Sequence, residues 1–241
     1  MLIHGSLCDS RYWKLQLNAL SKKFCVYSLS LRHYWPEFWI GDGIFSIEQH
    51  AEDIFSFIKN IVKTSVHLLG HSRGGTVALE IAKKYPTSLT SLILCEPNIL
   101  SKNQPNKNPH QQILDLISIG KVDDGLRQFV NAVNGPETWN FMASWIRNML
   151  RENSNTLVPQ FNEVIPKIKY SDISSINLPT LLIGGVLSPN SYKIMLKILQ
   201  NWLPNSQIFF IPDSSHSMNL SNPRIFNSIL ERFLLKQTIN L

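Results

Sequence analysis

Residues 68–75 read Leu68-Leu69-Gly70-His71-Ser72-Arg73-Gly74-Gly75, and they give the strongest signal for the fold class of the chain. A strand-sized apolar run over residues 65–69 precedes Ser72, and a helical pattern over residues 74–84 follows it. A Gly-x-Ser-x-Gly motif between a strand and a helix is typical of a nucleophile elbow, a sharp and strained turn that presents a serine. Gly70 and Gly74 lack side chains, which lets the strand and the helix approach each other at that turn.

The elbow predicts a serine with a chemical role. On such a turn the Ser72 hydroxyl projects above the sheet, and the Arg73 backbone N–H at the helix N-terminus faces any oxyanion that forms there. The alternative interpretation is a glycine-rich turn that contains a serine by chance. A phosphate-binding loop fits less well, because no Lys-Ser/Thr pair closes the motif.

Outward from the elbow, short apolar runs alternate with helical patterns. Ser46, with Gln49 three residues later, forms a capping box that predicts a helix over residues 47–61. Strands alternating with helices predict an α/β fold, a mostly parallel sheet flanked by helices on both faces. The expected strands cover residues 24–29, 65–69, 89–95, 180–184 and 207–211, and the last helix covers residues 222–236.

The middle of the chain has helical periodicity and no clear strand. We therefore expect an α/β core of residues 1–97 and 170–241, interrupted by a helical insertion of residues 98–169. The insertion is either an ordinary helical unit with a small core of its own or a cap over a site. In the second case its aromatic residues, including Trp139 and Trp145, would line a substrate pocket.

Composition excludes several classes of protein. The chain has 241 residues, of which 44% are hydrophobic, and this share suits a globular domain and not a disordered chain. No apolar run reaches the roughly 20 residues of a spanning helix. The positive charges that give a net charge of +6 are scattered and form no basic block, so no nucleic-acid partner is expected.

The chain has three cysteines without a CxxC spacing, which favours neither disulfides nor a zinc site. Together with the lack of a signal peptide, this indicates a cytoplasmic protein.

A candidate base lies near the end of the chain. His216 follows an apolar run in Phe209-Phe210-Ile211-Pro212-Asp213-Ser214-Ser215-His216 and precedes the last expected helix. A polar loop at the end of a strand is where an imidazole must lie to reach a serine above the sheet. The alternative is a solvated loop histidine without a role.

These motifs together resemble the α/β-hydrolase superfamily, in particular its serine esterase-like members with a helical cap. His4-Gly5-Ser6, with Trp13 downstream, is similar to the oxyanion loop of that superfamily. Residues 70–75 are similar to its nucleophile elbow, and residues 211–216 are similar to its histidine loop. The resemblance implies a Ser–His–acid triad with Ser72 and His216. It also implies an oxyanion hole formed by the backbone amides of Ser6 and Arg73.

The acid of the triad departs from the pattern of the superfamily. The loop that usually carries it reads Gly184-Gly185-Val186-Leu187-Ser188-Pro189 and has no carboxylate. Glu96, at the end of the strand after the elbow helix, is the favoured substitute, because some members carry the acid there. Glu96 could instead be a structural carboxylate. Asp213 is the other candidate acid, and a water or Ser188 could complete a weaker dyad.

Two further expectations concern the N-terminal third. Members of the superfamily usually carry an antiparallel hairpin before the first parallel strand, and here only Met1-Leu2-Ile3 precedes His4, so this hairpin is expected to be missing. Arg32 and His33 follow a strand at the same sheet edge as Ser72. They either line the pocket or belong to a structural loop.

The expected activity is hydrolysis of an ester-type small molecule through an acyl-enzyme on Ser72. This chemistry needs neither a metal nor an organic cofactor. A carbon–carbon bond hydrolase or a lactonase would use the same triad. The alternative from another class is a catalytically silent, ligand-binding scaffold, because no carboxylate stands in the loop where the superfamily usually carries the acid.

Overall fold

The computed structural model describes residues 1–99, 108–164 and 168–239. Within these ranges six strands form one sheet in the order β2-β1-β3-β4-β5-β6, and every neighbouring pair is parallel. The strands are β1 (Leu2–Ile3), β2 (Ser28–Leu29), β3 (Val66–His71), β4 (Leu89–Cys95), β5 (Thr180–Gly185) and β6 (Ser206–Ile211). The predicted α/β fold is confirmed.

The central strands are buried on both faces, as near-continuous apolar strand sequences predict. Leu92 and Leu94 of β4 belong to the apolar core on one face of the sheet, whereas Ile93 and Cys95 belong to the core on the other. This alternation follows from the two-residue period of a strand. The carboxyl ends of β3, β4, β5 and β6 therefore meet at one sheet edge.

Helices cover both faces of the sheet. Three of them, α2, α3 and α10, contribute side chains to one core, and α1 and α12 contribute side chains to the other. The helices of the described ranges are α1 (Lys14–Leu20), α2 (Ile47–Phe57), α3 (Arg73–Lys84), α4 (Asn108–Ser118), α5 (Val122–Asn134), α6 (Thr138–Phe141), α7 (Ser144–Glu152), α8 (Leu157–Asn162), α9 (Tyr170–Ile173), α10 (Asn190–Trp202), α11 (Met218–Ser221) and α12 (Pro223–Ile239). None of these helices is both long and apolar enough to cross a membrane.

In the described residues between β4 and β5, helices joined by turns and loops are found and no strand is found. Helices α4 to α9 lie in this segment, and Leu126, Val130 and Leu150 pack in the same core as Leu69 of β3. Helices α5 and α7 are thus joined to one face of the sheet by apolar contacts, whereas Ile173 of α9 packs in the core on the other face. Residues 100–107 and 165–167 of the expected insertion lie outside the described residues.

Two local predictions were wrong. The strand expected over residues 24–29 is limited to Ser28–Leu29, because its partner β1 offers only two residues for pairing. At the start of α2, Ser46 Oγ accepts the Gln49 N–H at 3.1 Å, as predicted, but the Gln49 side chain donates to Asp53 Oδ1 at 3.0 Å and does not complete the capping box.

Candidate active site

The turn between β3 and α3 holds Ser72 in a backbone conformation with a positive φ, at φ 52° and ψ −118°. A positive φ is uncommon for a residue that carries a side chain and costs on the order of 1–3 kcal/mol. The Ser72 N–H donates to the Cys95 carbonyl at 2.9 Å, which ties the turn to the end of β4. The strain is thus held in place by the sheet.

Two glycines permit this turn by leaving room for backbone. A Cβ on Gly70 would lie 2.2 Å from the Gly74 carbonyl oxygen, and a Cβ on Gly74 would lie 2.3 Å from the His4 carbonyl oxygen. No side-chain rotation relieves a clash with backbone. The strand, the helix and the loop after β1 can therefore meet only where both positions are glycine.

The end of β4 and the loop after β6 bring a carboxylate and an imidazole together. His216 Nδ1 donates to Glu96 Oε2 at 2.7 Å, and the Gly185 N–H donates to Glu96 Oε1 at 2.9 Å. Glu96 is fully buried, and His216 is 4% exposed. Because an ionised carboxylate only accepts hydrogen bonds, Nδ1 carries the proton and Nε2 keeps its lone pair.

Two aromatic rings flank the His216 imidazole. The Tyr192 ring, on the first turn of α10, is stacked on it with centroids 4.2 Å apart and planes inclined by 18°. The His71 ring lies 4.6 Å away, and its Nε2 donates to the His216 carbonyl at 2.8 Å. The imidazole is thus held by contacts from two strand ends and one helix.

A small cavity of about 50 Å³ lies over the elbow. Ser6, Ser72 and His216 line it from the core, so the structure brings three of the expected site residues to one space. Arg73 begins α3, and its N–H therefore belongs to the unpaired first turn of that helix. Most of the apolar lining comes from α5, α7 and the segment between them, namely Phe129, Val130, Val133, Met142, Ile146 and Leu150, and Leu7 and Leu220 add to it.

The other residues proposed to partner His216 do not bond to its Nδ1. Asp213 is exposed, and His216 Nδ1 already bonds to Glu96. Ser188 is 3% exposed, and its hydroxyl has no hydrogen-bond partner among the residues described. The end of β5 contributes the Gly185 N–H to the Glu96 carboxylate, and the loop that follows supplies no carboxylate of its own.

The four residues expected to line a pocket do not line the cavity over Ser72. Arg32 makes two hydrogen bonds to the Asp53 carboxylate, at 2.7 and 2.6 Å, and His33 Nε2 donates to the Ile44 carbonyl at 3.2 Å. Trp139 is 3% exposed and packs inside the apolar core, while Trp145 is 41% exposed. Each side chain is thus engaged elsewhere or directed away from the cavity.

The role of Tyr192 was missed from the sequence. Its only sequence signal is an aromatic residue in the first turn after the loop that usually carries the acid. The apolar lining of the cavity was visible as helical periodicity but could not be distinguished from an ordinary core. Gly185 was seen only as part of a loop without a carboxylate.

A buried ion pair lies behind the elbow. Arg73 Nη1 bonds to Glu163 Oε2 at 2.5 Å, with side chains 3% and 5% exposed. Glu163 Oε1 also accepts the Ile47 N–H at 2.6 Å, at the start of α2, and Arg73 Nη2 donates to His50 Nδ1 at 3.3 Å. Glu163, which follows α8, therefore ties the helical segment to the residue next to Ser72.

We expect Glu163→Gln to lower the free energy of unfolding by about 3 kcal/mol, because a buried charge that loses its partner stays uncompensated. Urea unfolding followed by circular dichroism measures this loss. Glu231→Gln is the matched control, since its partner Lys23 is 51% exposed. The control is expected to lose less than about 1 kcal/mol. Equal losses in the two variants would contradict the role assigned to the buried pair.

Three buried histidines make stability depend on pH. Burial lowers the pKa of His4 to about 4, burial and the nearby Arg73 lower the pKa of His50 to about 2, and burial beside His216 lowers the pKa of His71 well below its usual value. In the unfolded chain each of them titrates near about 6.5. Below that pH the unfolded state binds more protons, so stability is fully present above about 6.5 and falls as the pH drops.

At about pH 5, His4 and His50 are each expected to have lowered the free energy of unfolding by roughly 2 kcal/mol, since one pH unit corresponds to about 1.4 kcal/mol, and His71 acts in the same direction. The free energy of unfolding should thus be flat between about pH 7.5 and 6.5 and fall steeply between about 6.5 and 5. Urea titrations at several pH values test this. A free energy of unfolding that stays constant between about pH 6.5 and 5 would show that these side chains are not buried as neutral imidazoles.

The fold and the site together define a class of protein. A six-stranded parallel sheet, a strained serine between strand and helix, and an imidazole paired with a carboxylate at the same sheet edge are the architecture of an α/β hydrolase. Residues 1–229 match the profile of the Alpha/beta hydrolase family, and the chain belongs to that family.

Relatives and solved structures agree with this placement. A pimeloyl-[acyl-carrier protein] methyl ester esterase of Aeromonas hydrophila is 23% identical over 243 residues, which cover 97% of this chain and 94% of that protein. MenH of S. aureus superposes with a TM-score of 0.78 at 19% identity, covering 98% of this chain and 93% of its own. An esterase of Exiguobacterium antarcticum gives 0.79 at 20% identity, covering 96% and 90%. The hydrolases among the relatives support a general hydrolase role, and the solved structures support the fold.

Proposed function

We propose that the protein is a serine hydrolase that cleaves a small carboxylic ester or related acyl compound through an acyl-enzyme. Ser72 is the nucleophile, His216 the general base and Glu96 the acid of the triad. The observation that carries this proposal is the bond from His216 Nδ1 to buried Glu96, because it leaves Nε2 available in the cavity that Ser72 also lines.

The first half of the reaction follows from that tautomer. His216 Nε2 takes the Ser72 proton as Oγ attacks the substrate carbonyl, and the resulting imidazolium then protonates the leaving alcohol. Glu96, bonded on both oxygens, holds the ring in position and stabilises its positive charge. Water attacks the acyl-enzyme in the second half, with His216 again as the base.

The oxyanion is stabilised by two backbone amides. Gly5 lies against the nucleophile, since a Cβ on it would be 3.1 Å from the Ser72 Cβ, and this brings the following amide of Ser6 beside the elbow. In the described part of the chain neither the Ser6 nor the Arg73 N–H donates to another protein group. Unpaired donors directed at developing negative charge are the requirement for an oxyanion hole.

Helices α4 to α8 act as a cap in this proposal. Residues 98–169 form the cap and residues 1–97 and 170–241 the core, because α5 and α7 supply the apolar wall opposite Ser72. The cap therefore controls which acyl group reaches the nucleophile.

Pre-steady-state hydrolysis of p-nitrophenyl acetate tests the acyl-enzyme. We expect a burst of p-nitrophenol equal to the enzyme concentration, and an acetyl group on the peptide that contains Ser72 when the reaction is quenched with acid. Turnover without an acyl adduct on this peptide would contradict the mechanism. No reaction with any ester would favour the silent, ligand-binding scaffold.

A further inference from the structure

We propose that the acyl group of the substrate is short, uncharged and apolar, with about two to four carbon atoms. This inference rests on the proposed function and concerns the cavity over Ser72. Its wall is formed by Phe129, Val133, Ile146 and Leu150 of the helices between β4 and β5, together with Leu7 of the oxyanion loop.

The size of the acyl group follows from the cavity volume of about 50 Å³. A cavity needs about 10–15 Å³ on this measure to hold one water molecule, so the space accepts roughly four groups of that size. Methyl and methylene groups are slightly larger than water. A chain of eight carbon atoms therefore does not fit inside the cavity and has to extend out of it or displace the wall.

The charge of the acyl group follows from the lining. None of the described lining residues is Lys, Arg, Asp or Glu. Both ends of the Asn134 amide already make hydrogen bonds within the protein. Its Oδ1 accepts the Ser217 N–H at 3.0 Å, and its Nδ2 donates to the Val130 carbonyl at 3.4 Å. The side chain of Arg73 is paired with Glu163 behind the elbow. A substrate carboxylate would thus be buried without a counter-charge, which is costly.

A series of p-nitrophenyl esters with one leaving group tests this inference. We expect kcat/KM for the acetate and the butyrate to exceed that for the octanoate by about 10-fold, and that for the anionic hemisuccinate by about 100-fold. Val133→Ala widens the wall and should raise the octanoate-to-acetate ratio of kcat/KM by about 5-fold. Val158→Ala makes the same chemical change on an exposed side chain of α8 and should leave the ratio unchanged.

The outcomes separate this inference from the proposed function. Turnover that favours the octanoate or the hemisuccinate overturns the assigned acyl group and leaves the triad intact. An unchanged ratio in Val133→Ala likewise removes the assignment of the wall. Absence of turnover with all four esters, together with absence of an acyl adduct on Ser72, overturns both.

A second inference comes from the ring stacked on His216. We infer that Tyr192 is a positioning residue that stabilises the imidazolium form of His216 during turnover. The two rings are nearly parallel with centroids 4.2 Å apart, so the π-face of Tyr192 covers one face of the imidazole. A cation over an aromatic face is attracted by the ring quadrupole.

Three side chains that face the His216 imidazole determine how well its positive charge is stabilised, namely Glu96, His71 and Tyr192. Glu96 bonds to Nδ1 from the end of β4, and His71, at the end of β3, contacts the ring and the His216 carbonyl. Burial lowers the pKa of His71 well below its usual value, so this neighbour is neutral. Tyr192 is neutral as well, because burial and the nearby Glu96 raise its pKa. Glu96 and the Tyr192 ring therefore both favour the imidazolium.

The pH profile of kcat/KM tests the role of Tyr192. Tyr192→Leu removes the π-face and should lower kcat about 5-fold while moving the ascending limb of the profile to lower pH, because the imidazolium loses stabilisation. Tyr192→Phe keeps the ring and should keep both the limb and kcat near those of the wild type. A lower kcat in Tyr192→Leu with an unmoved limb, or an equal loss in Tyr192→Phe, overturns the inference.

Discussion

Ser72→Ala is expected to reduce kcat for p-nitrophenyl esters by about 10⁵-fold or more, the size of loss seen when a catalytic serine is removed from a triad. The reason is that the covalent intermediate forms on the Ser72 hydroxyl, so without it His216 and the oxyanion amides are left with direct attack by water. Steady-state absorbance assays at saturating substrate measure this loss.

The fold of this variant should be unchanged. The Ser72 backbone is held by its N–H bond to the Cys95 carbonyl, and alanine keeps that bond. The melting temperature should thus match that of the wild type, and Ser118→Ala, at an exposed position on α4, serves as the control for activity. Retention of activity in a folded Ser72→Ala protein would remove the assignment of the nucleophile.

Glu96→Gln is expected to lower kcat by about 10⁴-fold, as is known when the carboxylate of a triad is replaced by its amide. A glutamine can present an N–H to His216 Nδ1, which selects the tautomer with the proton on Nε2 and removes the general base. The substitution also removes the negative charge that stabilises the His216 imidazolium. The loss should appear in the acylation step, measured as a slower burst of p-nitrophenol.

Asp213→Asn is the matched control for the acid, because it makes the same chemical change at an exposed carboxylate in the loop that leads to His216. Its kcat should stay within about two-fold of the wild type, as expected for a residue that does not touch the reacting groups. A large loss in Asp213→Asn and a small one in Glu96→Gln would reassign the acid to Asp213.

The elbow was predictable from the sequence because local chemistry determines it. The positive φ of Ser72 and the close backbone approaches at Gly70 and Gly74 are consequences of one eight-residue stretch. The placement of His216 near the elbow was also predictable, since the carboxyl ends of parallel strands share one edge. These features depend on topology and turn chemistry, both of which leave signals in a single sequence.

The side-chain directions were not predictable in the same way. The sequence places Arg32 at the correct sheet edge but cannot reveal that Asp53 pairs with it. The period of a helix marks Trp139 and Ile146 equally as apolar, although one is in the core and the other lines the cavity. Glu96 remained one of several acids, because its contacts with Gly185 and His216 join segments about a hundred residues apart along the chain.

Labelling with a fluorophosphonate probe is the most direct test of the paired imidazole and hydroxyl. We expect the wild-type protein to take up one probe molecule per chain, with peptide mapping placing it on Ser72, and we expect His216→Ala to slow the labelling by several orders of magnitude. Absence of labelling in the folded wild-type protein, or labelling of another serine at the same rate, would contradict an activated hydroxyl at this turn.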